Sequence, residues 1–150
     1  MKKQNKFNCN LKELDKLTKN LVHNTSLPNV ILLDGELGSG KTTLARFFIK
    51  NFFLSYKIKP PKFVISPSFP ILQLYRIKNF SIYHYDLYRI KNVEELIEMS
   101  FEENIENNLT IIEWPEKIKK FISTYNFVNI KISIINEIER QIIINHKILK

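Results

Sequence analysis

The segment with the clearest chemical capacity is Gly35-Glu36-Leu37-Gly38-Ser39-Gly40-Lys41-Thr42, which reads G-x-x-x-x-G-K-[ST]. Glycine permits positive φ and close backbone approach, so successive N–H groups can converge on one anion-sized concavity. A helix opening near Lys41 turns its positive end toward the same point. Lys41 adds an ammonium for β- and γ-phosphates, and Thr42 adds a hydroxyl for Mg2+. The chain has three glycines, where average composition gives about ten. All three lie in this loop, a concentration that an ordinary tight turn does not require. Gly38-Ser39-Gly40 also opens like the dinucleotide fingerprint G-x-G-x-x-G, but Thr43 stands where its last Gly belongs, which excludes that reading.

Phosphate chemistry needs a second cation anchor and a group to orient water, and strand-end acids are where such loops find them. Two positions fit. Asp86 ends Ile82-Tyr83-His84-Tyr85, and Glu113 follows Leu109-Thr110-Ile111-Ile112 and precedes Trp114-Pro115. Either can serve the site, and either can be an ordinary acid facing solvent. Glu36 lies within the loop with its side chain toward solvent. His84 has no second His or Cys at ligand spacing and reads as a packed or hydrogen-bonded core imidazole. Tyr83, Tyr85 and Tyr88 read as packing residues. Trp114, the only tryptophan, is a packing anchor or part of a partner surface. Glu94, Glu95, Glu98, Glu102, Glu103 and Glu106 form a solvated helical face or a dock for a basic partner.

The elements that must position these groups are visible in the apolar periodicity. Leu11, Leu14, Leu17 and Leu21-Val22 recur at helical spacing, and Val30-Ile31-Leu32-Leu33 reads as a buried strand before the loop. Leu44, Phe47, Phe48 and Phe52 predict a helix after it. Ile71 to Ile77 and Phe80 to Leu87 are strand-like around a turn at Lys78-Asn79. Val93 to Met99 predicts a short helix continuing after Ser100, Thr110-Ile111-Ile112 a second buried strand, and Lys117 to Ile122 a short helix. Phe127 to Ile135 and Ile138 to Asn145 predict a terminal hairpin turning at Asn136-Glu137. With no repeat, linker or composition break, residues 1–150 read as one domain. The expected fold is an α/β/α three-layer sandwich with a mixed sheet, parallel near the glycine loop, of the P-loop NTPase kind and ending in a β-hairpin.

Composition bounds the rest. The 150 residues are 44% hydrophobic and 25% charged, as in an ordinary globule. Cys9 stands alone, so an internal disulfide is excluded and Cys9 reads as a bystander thiol. Lys and Arg number 23 against 15 Asp and Glu, a net charge of +8. Lysine supplies 19 of the 23, beside 23 Ile and 16 Asn. All three have codons rich in A and T, so genome bias competes with nucleic-acid binding as the cause, and no basic stripe interleaved with aromatics appears. The basic start Met1-Lys2-Lys3-Gln4-Asn5-Lys6 lacks an apolar run behind it. The uncharged stretches 63–75 and 121–130 are too short to span a bilayer. A cytoplasmic location is the default expectation.

Four segments together carry a resemblance: 34–43 (Asp34 to Thr43), Ser66-Pro67-Ser68-Phe69, Tyr83-His84-Tyr85-Asp86-Leu87-Tyr88-Arg89 and Glu113-Trp114-Pro115. In order and spacing the chain resembles the TsaE (YjeE) family of small bacterial P-loop ATPases, over roughly residues 10 to 145. The glycine loop alone is generic; its combination with H-x-D-L-Y-R and E-W-P is specific. The resemblance implies an ATPase acting in the synthesis of threonylcarbamoyladenosine in tRNA, with ATP and Mg2+ as cofactors and a TsaD–TsaB pair as partner. TsaD carries out the group transfer, and tRNA is met indirectly or weakly. The resemblance maps Gly35 to Thr43 to nucleotide, Lys41 to the phosphates, Thr42 and Glu113 to Mg2+, and Asp86 to hydrolysis. Arg140 matches an arginine of the last hairpin and is a candidate nucleotide contact. The family loop S-P-T-F/Y-T appears here as Ser66-Pro67-Ser68-Phe69-Pro70, so the second hydroxyl is missing.

Two other readings of the loop stand beside this one. A small-molecule kinase would use an arginine-rich lid, whereas Arg46, Arg76, Arg89 and Arg140 are dispersed. A nucleotide-gated binding module would show negligible turnover even with its partner present.

Overall fold

The computed structural model describes residues 5–24 and 27–147; the basic start Met1 to Gln4 lies outside the described residues. Seven strands form one sheet: β1 Asn5–Cys9, β2 Val30–Asp34, β3 Leu72–Ile77, β4 Phe80–Asp86, β5 Leu109–Glu113, β6 Phe127–Ile134 and β7 Arg140–Lys147. Their spatial order is β1-β7-β6-β2-β5-β4-β3. The central pairs β6·β2, β2·β5 and β5·β4 are parallel, and the outer pairs are antiparallel. The mixed sheet expected from the sequence is therefore present, with its parallel strands around the glycine loop.

Two apolar layers sandwich the sheet. On one face α1 (Leu11–Asn24) and α2 (Lys41–Ser55) place Leu14, Leu21, Leu44, Phe48 and Ile49 on Ile31, Leu33, Ile82 and Ile111. On the other, α3 (Glu94–Glu98), α4 (Phe101–Asn107), a 3-10 turn (Pro115–Ile118) and α5 (Lys119–Ile122) place Leu96, Phe101, Ile105 and Ile122 on Val30, Leu32, Tyr85 and Ile112. The β2 sequence Val30-Ile31-Leu32-Leu33 thus feeds both layers alternately, as a parallel strand covered on both faces must. Helix α1 opens with a reciprocal cap. Asn10 Oδ1 accepts from the Lys12 and Glu13 amides at 3.0 and 3.1 Å, and Glu13 Oε2 accepts from the Asn10 amide at 2.8 Å. It is tied to α2 by Asp15, which accepts from Lys50 at 2.5 Å and Asn51 at 3.1 Å.

Three departures from the sequence reading are local. Strand β1 has no counterpart in that reading. Its NKFNC sequence is exposed except for Cys9 and is paired along its length with β7 at the sheet edge, so nonlocal pairing rather than pattern makes it a strand. Strand β7 starts at Arg140, not Ile138. Asn136 Oδ1 accepts from the Ile138 and Glu139 amides, both at 2.9 Å, which lengthens the turn and leaves Ile138 in it. Residues 117–122 form a 3-10 turn running into α5 rather than one helix. The acidic cluster of α3 and α4 is largely solvent-facing. Among the described residues no helix is long and apolar enough to cross a membrane.

Strand β5 is the spine between the two layers, and Ile111 is fully buried in it. Ile111→Ala is expected to lower unfolding free energy by about 2–5 kcal/mol, read from the urea midpoint at unchanged denaturant slope.

Candidate functional site

The carboxyl ends of the central parallel strands create the site. Leu33 of β2 and Asp86 of β4 flank Glu113 of β5 in register. Side chains alternate along a strand, so Asp86 and His84 share the face of Ile82, and Glu113 shares that of Ile111. That face is the one covered by α2. The chain leaves β2 at Asp34, curls through residues 35–40 and enters α2 at Lys41, over the same three strand ends. Two glycines allow the curl. A Cβ on Gly35 would meet the Ile132 carbonyl oxygen at 2.5 Å and Ser39 Oγ at 2.7 Å. Gly40, preceding α2, has φ +109°, which side chains disfavour.

Lys41 is buried and folds back over the loop. Its Nζ donates to the Gly35 and Glu36 carbonyls at 2.7 and 2.8 Å and lies 3.7 Å from the centre of the Trp114 ring. Burial draws this ammonium below the usual lysine range; the nearby carboxylates of Glu113, Asp86, Glu116 and Asp34 act in the opposite sense. Thr42 Oγ1 donates to Glu113 Oε2 at 2.9 Å, and Glu113 Oε1 meets His84 Nε2 at 2.8 Å. Asp86 Oδ2 accepts from Ser66 Oγ at 2.5 Å, and its Oδ1 accepts from the Tyr88 amide at 3.0 Å. Lys41, Thr42, Asp86 and Glu113 thus line one cleft of about 480 Å3, joined by Thr43, Ser66, Ser68, Tyr88, Arg89 and Trp114.

The donor set fits a hard cation. Among the described residues no three His, Cys, Asp or Glu side chains are grouped to cage a metal. Mg2+ needs no such cage, since it keeps waters and takes one or two protein oxygens with substrate phosphates. Adjacent ligands of an octahedron with bonds of about 2.0–2.1 Å stand about 2.9 Å apart. The Thr42 and Glu113 oxygens have that separation.

The other candidate positions fall as follows. Glu36 and Leu37 are exposed on the loop, and Ser39 is buried beneath it. Arg140 stands behind the loop: its Nε donates to the Ser39 carbonyl at 2.9 Å, and its Nη1 donates to the Asn136 and Glu139 carbonyls. His84 is the hydrogen-bonded buried imidazole expected, with Glu113 as its partner. Tyr83 and Tyr85 pack in the second layer, whereas Tyr88 is exposed beside Trp114 with ring centres 4.9 Å apart. Sequence spacing carries no sign of the Ser66–Asp86 bond, of Trp114 beneath Lys41, or of Arg89 at the cleft. These contacts join segments whose register only the folded sheet sets.

Residues 9–142 match the family model described as "Threonylcarbamoyl adenosine biosynthesis protein TsaE". The chain belongs to the TsaE family. The TsaE protein of Rickettsia felis is 40% identical over 131 residues, covering 87% of this chain and 73% of that one. The TsaE protein of Rickettsia conorii is 41% identical over 137 residues, covering 90% and 75%. Both are described as tRNA threonylcarbamoyladenosine biosynthesis proteins. The crystal structure of Bacillus subtilis YdiB shares the fold, with a TM-score of 0.68 at 24% identity over 97% of this chain and 87% of that one. The α/β sandwich expected from the sequence is thus that of a solved relative in fold.

The two glycine environments predict different damage. Nothing lies within 4 Å of the point a Cβ on Gly38 would occupy, and its φ is +76°, so Gly38→Ala is expected to cost about 1–2 kcal/mol of backbone strain. Gly35→Ala must also displace the Ile132 backbone, and its melting temperature should fall further. Equal losses in thermal unfolding would contradict the steric account.

Proposed function

We propose that this TsaE-family chain is a Mg2+-dependent ATPase that supports synthesis of tRNA threonylcarbamoyladenosine by a TsaD–TsaB pair. The observation that carries the reading is the Thr42 hydroxyl held 2.9 Å from the Glu113 carboxylate beneath a glycine loop. In this reading the amides of residues 35–43 receive the phosphates at the start of α2, where helix polarity favours anions. Lys41 leaves the Gly35 and Glu36 carbonyls and turns to the β- and γ-phosphates. Thr42 and Glu113 hold the cation, which when bound would neutralise charge on the β- and γ-oxygens. Asp86, kept in place by Ser66 and the Tyr88 amide, orients the attacking water and takes its proton.

The nucleoside end has a separate wall. A pocket of about 300 Å3 adjoins Ser39, Gly40 and Thr43 and is bounded by Cys9, Leu11, Leu14 and Ile138. Its apolar lining suits the base, and Arg140 at its edge holds the loop through Ser39. The partner pair carries out the threonylcarbamoyl transfer, and tRNA is met through that pair. A cytoplasmic site of action accords with this role.

Lys41→Ala is expected to abolish nucleotide-dependent activity, and full residual activity would refute the loop's role. Asp86→Ala should lower kcat by about 100-fold or more while ATP affinity measured by calorimetry changes little. A matching loss of affinity would remove Asp86 from the hydrolytic step.

The functional assignment itself is tested by ATP turnover with and without the TsaD–TsaB pair. Turnover that rises strongly on adding the pair supports the assignment. Turnover unaffected by the pair, or phosphoryl transfer to a nucleoside acceptor, would overturn it.

A further inference from the structure

We infer that His84 fixes the orientation of the Glu113 carboxylate and thereby sets how tightly the site holds its cation. It is a positioning residue, acting through Glu113. The inference rests on the Mg2+ reading of the preceding subsection and names what tunes that site.

The terminal torsion of a glutamate side chain is broad, so one oxygen can be aimed only if the other is held. Glu113 Oε2 faces Thr42 at 2.9 Å, and Oε1 faces His84 Nε2 at 2.8 Å. The carboxylate is therefore gripped at both oxygens, by a hydroxyl on the cleft side and an imidazole on the core side. His84 and Glu113 are both buried, at 0% and 2% side-chain exposure, so the contact between them is shielded from bulk water. The register makes the contact possible. His84 pairs with Ile111 on the neighbouring parallel strand, so Glu113, two residues further on, is its diagonal neighbour, with both side chains on the α2 face.

The carboxylate fixes the tautomer. Nδ1 is buried and, among the described residues, has no hydrogen-bond partner. An ionised carboxylate oxygen only accepts, so Nε2 carries a proton and donates it to Glu113. That leaves Nδ1 as the unprotonated nitrogen of the tautomer. A histidine kept only for core packing would have no reason to spend its one donor on a residue at the cation position, whereas outer groups that hold a metal ligand in this way commonly change metal affinity by about 10–100-fold when removed.

The test uses the full chain and follows ADP binding by calorimetry as a function of Mg2+ concentration, with EDTA controls. His84→Gln keeps an N–H donor near the Nε2 position, and His84→Asn draws it back by one carbon. The Gln variant is expected to need about the wild-type Mg2+ concentration and the Asn variant about 10–100-fold more, with ADP affinity in EDTA unchanged in both. An Asn variant with the wild-type Mg2+ requirement, a Gln variant impaired as much as Asn, or equal loss in EDTA would overturn the proposal. Long-range proton–nitrogen spectra of the wild-type protein give a reading free of any variant's folding: a protonated Nε2 with a bare Nδ1 is expected, and the reverse tautomer overturns it. Wild-type ADP binding indifferent to Mg2+ would bring down the cation reading itself, which the variants alone cannot do.

Discussion

Thr42 and Glu113 are 71 residues apart in the chain, yet their side chains meet at 2.9 Å. That contact is possible only because β2 and β5 are parallel neighbours with Leu33 opposite Glu113. The loop after β2 must then turn directly into α2, so that the second residue of the helix stands over the end of the adjacent strand. A one-residue slip of β5 would send Glu113 to the opposite face of the sheet. The site therefore depends on register, and register depends on both apolar layers being filled. Ile111 and Ile112, side by side in β5, are each fully buried, one in each layer.

The same geometry braces the loop from three sides. Its floor is the Ile132 carbonyl against Gly35, its rear support is Arg140 on the Ser39 carbonyl, and its inner contact is Lys41 on Gly35 and Glu36. Arg140 belongs to β7, so the terminal hairpin, remote in sequence, is a structural part of the loop. Asp86 is held just as firmly by Ser66 from a loop and by the Tyr88 amide from its own turn. Asp86, held in this way, would need little rearrangement in the hydrolytic role proposed for it.

Much of this is legible in the sequence, and the reasons differ by element. The glycine loop is contiguous and is flanked by a strand pattern and a helix pattern, so residues 35–43 can be read directly. Asp86 and Glu113 are legible as strand-end acids, because buried parallel strands announce themselves by unbroken apolar runs. Their division of work is not legible, since it depends on which strand lies beside which. His84 reads as a core imidazole, but its partner requires the β4–β5 register. Strand β1 carries too little pattern in five residues, and the true start of β7 is set by the Asn136 side chain capping its own turn. Trp114 cannot be placed from the sequence at all. It takes a left-handed conformation at φ 59° immediately after Glu113, which swings the indole under Lys41.

Lys41 Nζ engages two loop carbonyls and an indole face, so the proposed phosphate role requires it to exchange these contacts. The loop lysine is thus tied into the fold itself, bracing the turn between β2 and α2 against the tryptophan that follows β5.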